Sequence, residues 1–297
     1  MTRLTFYLDV GSSMKSCTII IPARNEGDSL KSLLPKVKEQ CPDADIIVVN
    51  DGSTDDTSEV CYKFSVTEVV HRYSRGNGAA IKSGVRLAEG EVIVFMDGDG
   101  QHSPRDIPRL LERLEEGADL VVGARQKGSQ ASVGRGFANR FYNRLASYMT
   151  GQPVEDLTSG FRAVRADKFR QFLYLLPNGF SYPTTSTMAF FRAGYEVAYI
   201  PIHAARRQGR SHIRPLKDGL RFLLIIFKIG TLYSPLKLFV PVSVGVFGLG
   251  LSYYGYTFIT ASRFTNMSAL MFTTSLVIFM VGLVSEQITA LMYKDSE

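Results

Sequence analysis

Val92 to His102 reads VIVFMDGDGQH, and the fold turns on this stretch. An apolar run of strand character, Val92 to Met96, ends abruptly in Asp97-Gly98-Asp99-Gly100-Gln101. Two carboxylates and an amide therefore arrive at the carboxyl end of a buried strand. Glycine after each aspartate lets the chain turn and bring both carboxylates onto one hard cation beside a diphosphate. Mg²⁺ or Mn²⁺ suits such oxygen donors best. A polar turn that merely caps a strand has the same composition, so the aspartates gain weight only from their surroundings.

Outward from this stretch, strands and helices alternate. Thr18 to Ile21 is a β-branched run that stops at Pro22; Leu30, Leu33, Leu34 and Val37 then recur at helical spacing, with Pro35 expected to kink or end that helix. Asp45 to Val49 is the next strand. Ser53 or Thr54 is placed to cap a helix with Asp55 and Asp56 in its first turn. Val66 to Val70 is a third strand, Ala79 to Ala88 a helix and Val92 to Met96 the fourth strand. Ser103-Pro104-Arg105-Asp106 then opens a helix with a buried stripe of Ile107, Leu110, Leu111 and Leu114, and Leu120 to Val122 follows as a strand. Phe137, Phe141, Leu145 and Tyr148 recur at helical spacing and stop at Gly151, which suits a C-cap. The alternation predicts a mostly parallel, doubly wound, Rossmann-like α/β sheet, which binds ligands beyond the carboxyl ends of its strands.

Three of those ends carry polar clusters: Pro22-Ala23-Arg24-Asn25-Glu26, Asn50-Asp51-Gly52-Ser53-Thr54-Asp55-Asp56, and Asp97 to His102. The fold rule gathers them around one crevice, where acidic groups can accept hydrogen bonds from base and ribose donors. A dinucleotide site would show GxGxxG directly after the first strand, where this chain has PARNE. Arg75-Gly76-Asn77-Gly78-Ala79 opens a helix, and its glycines permit close backbone approach to a nucleotide.

PARNE, NDGSTDDT, RGNGAA, DGDGQH and DLTSGFRA, in this order and spacing over residues 17 to 214, resemble the family 2 glycosyltransferases of the dolichyl- or polyprenyl-phosphate sugar synthase type. The resemblance implies a GT-A fold and inverting transfer of a hexose from a GDP- or UDP-linked sugar to dolichyl or undecaprenyl phosphate. It implies nucleotide contacts from Pro22, Arg24, Glu26, Val49, Asp51, Gly76, Gly78 and Gly98, and a metal held by Asp97, Asp99 and Gln101. Arg24 stands where tyrosine is usual, and Asn50-Asp51 where two aspartates are usual. Arg125, Arg206, Arg210, Ser211 and His212 match positions that grip donor and acceptor phosphates, with His212 in place of a usual lysine.

Asp156 matches the carboxylate that inverting enzymes of this fold set near the attacking group. A prenyl phosphate oxygen is already ionised at neutral pH, so Asp156 is expected either as a base or as an orienting group, alongside Asp97, Asp99 and Arg125 in the catalytic set. His71, His102 and His203 have no partner at metal-ligand spacing and read as structural or surface residues. Sugar choice rests with loops, Gly123 to Gly136 and Asn178 to Thr185 among them, that carry no readable code.

The chain has 297 residues, 45% of them hydrophobic, enough for one α/β domain and an additional element. Leu238 to Ser262 and Phe264 to Ser285 are uncharged runs of 25 and 22 residues, each long enough to cross a bilayer. Lys217, Arg221, Lys228 and Lys237 precede the first run and Lys294 follows the second, while their connection holds only Arg263. That asymmetry predicts two membrane spans with the catalytic domain and both termini cytoplasmic. Pro215 to Thr231 sets Lys217, Arg221 and Lys228 on one helical face, as in an interfacial helix or the last helix of the globular domain. The expected organisation is a tail at 1–16, a GT-A domain at 17–214, a juxtamembrane amphipathic helix at 215–231 and a two-helix membrane region at 232–297.

Cys17, Cys41 and Cys61 show neither zinc nor disulfide spacing. The net charge of +6 comes without an aromatic-interleaved basic patch, so membrane lipid and phosphorylated substrates are the expected partners rather than nucleic acid. Small residues along the spans are compatible with a homo-oligomer. Two further readings compete: an inactive membrane-bound scaffold or lipid-binding relative, and a polysaccharide synthase. The second normally carries a tryptophan-containing product motif, and this chain has Trp 0.

Overall fold

A computed structural model describes residues 16–126, 133–179, 181–204 and 230–294. The chain builds one seven-stranded sheet in the order β3-β2-β1-β4-β6-β5-β7. Its strands are β1 (Cys17–Ala23), β2 (Asp45–Asn50), β3 (Thr67–Val70), β4 (Val92–Phe95), β5 (Leu120–Arg125), β6 (Arg162–Arg165) and β7 (Val197–Ile202). All pairings are parallel except those of β6, which runs antiparallel between β4 and β5.

The strand runs are almost continuously apolar because both faces of the sheet are covered. Ile20, Ile47, Val49 and Phe95 point into one core layer with helices α3 (Asn77–Leu87) and α7 (Tyr182–Arg192). Ile19, Ile21, Val48 and Val94 point into the other, with α1 (Gly27–Gln40), α2 (Thr57–Lys63) and α4 (Ile107–Glu115). This period of two sends alternate residues to opposite layers. Helix α5 (Val133–Thr150) ends at Gly151, whose φ of +75° suits a glycine C′ residue. The short α6 (Ala166–Arg170) follows β6.

Two helix expectations need correction. Helix α1 runs through Pro35 to Gln40. Pro35 and Lys31 are both exposed, so the Lys31 carbonyl that loses its amide partner lies on the solvent side, while Leu30, Leu33, Leu34 and Val37 hold the helix to the core. Helix α2 begins at Thr57, later than Ser53 or Thr54 would set it. Those two residues are used elsewhere: Ser53 Oγ accepts from Asn25 N at 2.9 Å and Thr54 N donates to Asn25 Oδ1 at 2.8 Å. Asp55 Oδ1 instead accepts from Thr57 N, and its Oδ2 accepts from Gly27 N, stitching the starts of α1 and α2 together.

The C-terminal part forms an antiparallel pair of long helices, Pro235–Ala261 and Asn266–Lys294, both long and apolar enough to cross a membrane. They are not core helices: Val244 (63% exposed), Leu249 (66%) and Ile259 (83%) lie bare on the first, Leu270 (59%) and Leu291 (66%) on the second. Between the two, Ser243 Oγ donates to Ser275 O and Ser275 Oγ to Ser243 O, both at 2.9 Å, which satisfies hydroxyls in an apolar setting.

The pair is tied to the sheet domain by a polar junction. Glu286 Oε2 accepts from Leu236 N at 3.3 Å, and Glu286 Oε1 lies 3.5 Å from Arg192 Nη2 at the end of α7. Tyr233, fully buried, packs in the globular core and donates to Thr185 O at 2.8 Å. The first of these helices begins at Pro235, inside the expected membrane region at 232–297. Most of the expected amphipathic helix at 215–231, and the tail up to residue 15, lie outside the described residues.

Candidate active site

Order in the sheet explains where the polar clusters meet. Strand β1 lies between β2 and β4, so connections leave it in opposite directions and open a crevice at the carboxyl ends of β1 and β4. The acidic turn touches that end of β1: a Cβ on Gly98 would sit 3.2 Å from Pro22 O. A cleft of about 450 Å³ occupies the position, lined by Pro22, Arg24, Glu26, Asp51, Gly76, Asp97, Gly98 and Asp99 together with Ser74 and Asn77. Four motifs separated in sequence, PARNE, NDGSTDDT, RGNGAA and DGDGQH, therefore share one cavity.

Asp97 differs from the other carboxylates here. Among the described residues no group donates a hydrogen bond to it; His102 Nδ1 lies 3.9 Å from Asp97 Oδ2, beyond hydrogen-bond distance. That nitrogen is itself buried without a partner, while the His102 ring stacks on Phe161 at 5.1 Å. An open carboxylate beside an orphaned imidazole nitrogen is a polar niche that the described residues do not satisfy. Asp99 Oδ1 accepts from Gln101 N at 3.1 Å, which shapes the turn. Gln101 itself lines the neighbouring cavity with His102 and His203, so the structure gathers two of the three expected metal ligands into the cleft. Two carboxylates suffice for Mg²⁺ or Mn²⁺ when substrate phosphates and water complete the shell, so the residues present fit such an ion.

Asp51 is enclosed. Its Oδ1 accepts from Arg75 N at 2.8 Å and lies 2.7 Å from His71 Nδ1; its Oδ2 accepts from Ser74 Oγ at 2.7 Å and Gly76 N at 2.9 Å. Burial acts to raise its pKa, but the Arg75 amide, His71, Ser74 and the Gly76 amide outweigh it and hold the group at about 2. His71 Nε2 in turn meets Ser83 Oγ at 2.9 Å. Asp51 thus fixes the 74–76 loop that forms one side of the cleft. Ser74 went unread in the sequence, while His71, read there as a structural or surface residue, is buried and braces Asp51.

Two of the expected nucleotide contacts, Val49 and Gly78, pack against protein. Val49 is fully buried in the core, because it sits at an inward position of a strand covered on both faces. Gly78 lies against the 177–179 segment, where a Cβ would come within 1.9 Å of Pro177 O, and Ala79 N donates to Asn178 O at 2.8 Å. The start of α3 is therefore capped by protein carbonyls. Gly76, at φ +100°, remains in the cleft wall.

Arg125 and Asp156 meet each other. Arg125 Nε donates to Asp156 Oδ2 at 2.7 Å and Nη2 to Asp156 Oδ1 at 2.9 Å, a bidentate pair; Nη2 also donates to Thr158 Oγ1 at 2.7 Å. Burial opposes ionisation of Asp156, yet the Arg125 guanidinium and the amides of Arg125 and Thr158 hold its pKa below the usual carboxylate value. A carboxylate so held is a weak base. Arg125 is near enough to Asp97 to feel its charge. Arg206, Arg210, Ser211 and His212 lie outside the described residues.

Comparison with known proteins gives the following. The glycosyl transferase family 2 model matches residues 18–173, and a GtrB C-terminal hairpin model matches residues 234–291. The undecaprenyl-phosphate mannosyltransferase of Micrococcus luteus is 32% identical over 206 residues, 64% of this chain and 83% of that protein. The polyprenol monophosphomannose synthase of Mycolicibacterium smegmatis is 30% identical, over 64% of this chain and 77% of that one. Glycosyltransferase AglJ of Haloferax volcanii is 27% identical across 92% of this chain and 93% of its own. Among solved structures, glucosyl-3-phosphoglycerate synthase of Mycobacterium tuberculosis, crystallised with Mn²⁺, UDP and glucosyl-3-phosphoglycerate, superposes with a TM-score of 0.59. It is 19% identical and covers 73% of this chain and 79% of its own, a likeness of fold.

Proposed function

Because the chain belongs to glycosyl transferase family 2 and is a glycosyltransferase, we propose that it moves a hexose, with inversion, from a UDP- or GDP-linked donor to a polyprenyl phosphate, dolichyl or undecaprenyl. The observation that carries this reading is the open Asp97 carboxylate beside Asp99 in a cleft at the β1/β4 switch point. The relatives' polyprenyl-phosphate names and the apolar C-terminal helix pair support a lipid acceptor.

Pro22, Arg24 and Glu26 on one side, and the 74–77 loop that Asp51 steadies on the other, receive the nucleoside end of the donor. Asp97 and Asp99 hold a Mg²⁺ or Mn²⁺ ion, which when bound supplies Lewis-acid stabilisation to the departing nucleoside diphosphate. The acceptor phosphate is ionised at neutral pH and needs no base. Asp156 accordingly orients Arg125, whose guanidinium offers a fixed positive charge for phosphate near Asp97. Arg206, Arg210, Ser211 and His212 are assigned to the acceptor phosphate by the same motif match. Lys237 and Lys294 flank the helix pair and Arg263 alone marks its connection, which puts the catalytic domain at the cytoplasmic face.

Purified protein with Mg²⁺ or Mn²⁺, polyprenyl phosphate and a panel of radiolabelled UDP- and GDP-sugars is expected to yield a chloroform-soluble labelled lipid with one donor. Label that stays entirely in water-soluble products across the panel overturns the proposal.

A further inference from the structure

Arg162 opens β6 opposite Phe95, the last residue of β4, and Val122, midway along β5, so it lies at the carboxyl end of β4, beside the acidic turn. Its side chain is fully buried. No carboxylate forms an ion pair with it among the described residues. Arginine is almost never buried without an anionic partner, because desolvating an uncompensated charge costs several kcal/mol. Here the charge is dispersed over neutral acceptors. Nε donates to Ser159 O at 3.2 Å, Nη2 also donates to Ser159 O, and Nη1 donates to Pro183 O, Ser186 Oγ and Thr187 Oγ1 at 3.0, 2.9 and 3.1 Å. The Tyr182 ring lies 5.7 Å from the guanidinium carbon.

These acceptors belong to two pieces of chain, the Ser159-Gly160 turn and the start of α7, and only a planar fork reaches both. Tyr182 adds a second tie, its hydroxyl donating to Gly160 O at 3.0 Å. What the clamped turn touches is Asp97: a Cβ placed on Gly160 would fall 2.7 Å from Asp97 Oδ2 and 3.1 Å from Oδ1. Asp97 accepts no hydrogen bond from the described residues, so packing against this turn restricts its carboxylate where hydrogen bonding does not.

We propose that Arg162 is a positioning residue for the acidic turn. By tying the Ser159-Gly160 turn to the start of α7, it holds the wall on which the Asp97 carboxylate rests, and so sets the affinity of that carboxylate for a divalent cation. The proposal rests on the reading of Asp97 and Asp99 as cation ligands. Groups that orient a metal ligand without touching the metal typically change affinity by about 10- to 100-fold.

The test uses the full chain in detergent, with Mn²⁺ binding followed by the electron paramagnetic resonance signal of free Mn²⁺ and folding followed by thermal melting without metal. Arg162→Lys keeps the charge but cannot span both acceptors; Gly160→Ala leaves Arg162 intact and pushes directly on Asp97. Each is expected to weaken Mn²⁺ binding about tenfold or more while melting as a folded protein, and Asp99→Ala to lose binding. Wild-type Mn²⁺ affinity in both Arg162→Lys and Gly160→Ala, with binding lost in Asp99→Ala, overturns the positioning role and leaves the cation reading standing. Wild-type affinity in Asp99→Ala removes the cation reading and the proposal with it. Should Arg162→Lys fail to fold, Gly160→Ala and Tyr182→Phe decide, and unchanged affinity in both is a refutation.

Discussion

Asp51 and Asp97 line the same cleft with opposite surroundings. Asp51 has a side chain 7% exposed and four donors on its oxygens; Asp97 is 32% exposed and has none among the described residues. Asp156, also 7% exposed, resembles Asp51, with Arg125 as its main donor. A carboxylate whose lone pairs are consumed by the protein is scaffold, and one left open is available to a ligand. The contrast separates groups that shape the cleft from a group left open to a ligand.

The largest effect should come from Asp97→Asn. Transfer to lipid is expected to fall about a thousandfold or more, the scale of losing a main electrostatic contributor, while thermal melting stays near wild type because no protein hydrogen bond is lost. A melting loss as large as that of Asp51→Ala would break the contrast.

Asp156→Ala should do both kinds of damage. Arg125 would be left partly buried without its carboxylate, at a cost of about 3 kcal/mol in denaturant unfolding, and transfer should fall as the guanidinium loses its orientation. Unchanged stability would mean that the pair contributes nothing to the fold. Asp51→Ala should cost about 2 kcal/mol, since the Arg75 and Gly76 amides lose their acceptor, and should raise KM for the nucleotide sugar more than it lowers kcat. The reverse split would make Asp51 a group that acts on the transition state.

The smallest effect is a pH dependence. The folded pKa of Asp51, about 2, lies below its ordinary 3.8. Its stabilising contribution is therefore complete above about pH 4 and declines as pH falls toward about 2. Stability curves of wild type and Asp51→Asn should converge over that window; a constant gap would show that the hydrogen bonds do not favour the charged form. As a control away from the cleft, Ser243→Ala should cost about 0.6 kcal/mol and leave transfer unchanged.

Much of this site was legible in the chain because its signals are local. DGDGQH at the end of an apolar run, NDGS after β2 and PARNE after β1 each announce a strand that stops in polar residues, and strand order brings them together. Arg125 and Asp156 stood out in the chain as candidate site residues but not as partners, since 31 positions separate them and pairing depends on β5 lying beside β6. Strand β6 went unread because RAVR alternates too briefly to register, and its antiparallel course depends on neighbours it meets only after folding. Gly78, expected to permit close backbone approach, lies against the 177–179 segment, a contact that only the folded chain brings about.

The sequence by itself determined the α/β alternation, the acidic turn, and two C-terminal runs too long and too apolar for ordinary core helices, because periodicity, glycine placement and hydrophobic length are properties of consecutive residues. Only the tertiary structure decided which carboxylates are consumed and which stay open, and that a buried arginine ties down the Ser159-Gly160 turn against which Asp97 packs. A side chain's hydrogen-bond partners come from segments distant along the chain, and they meet only after the sheet has fixed its strand order.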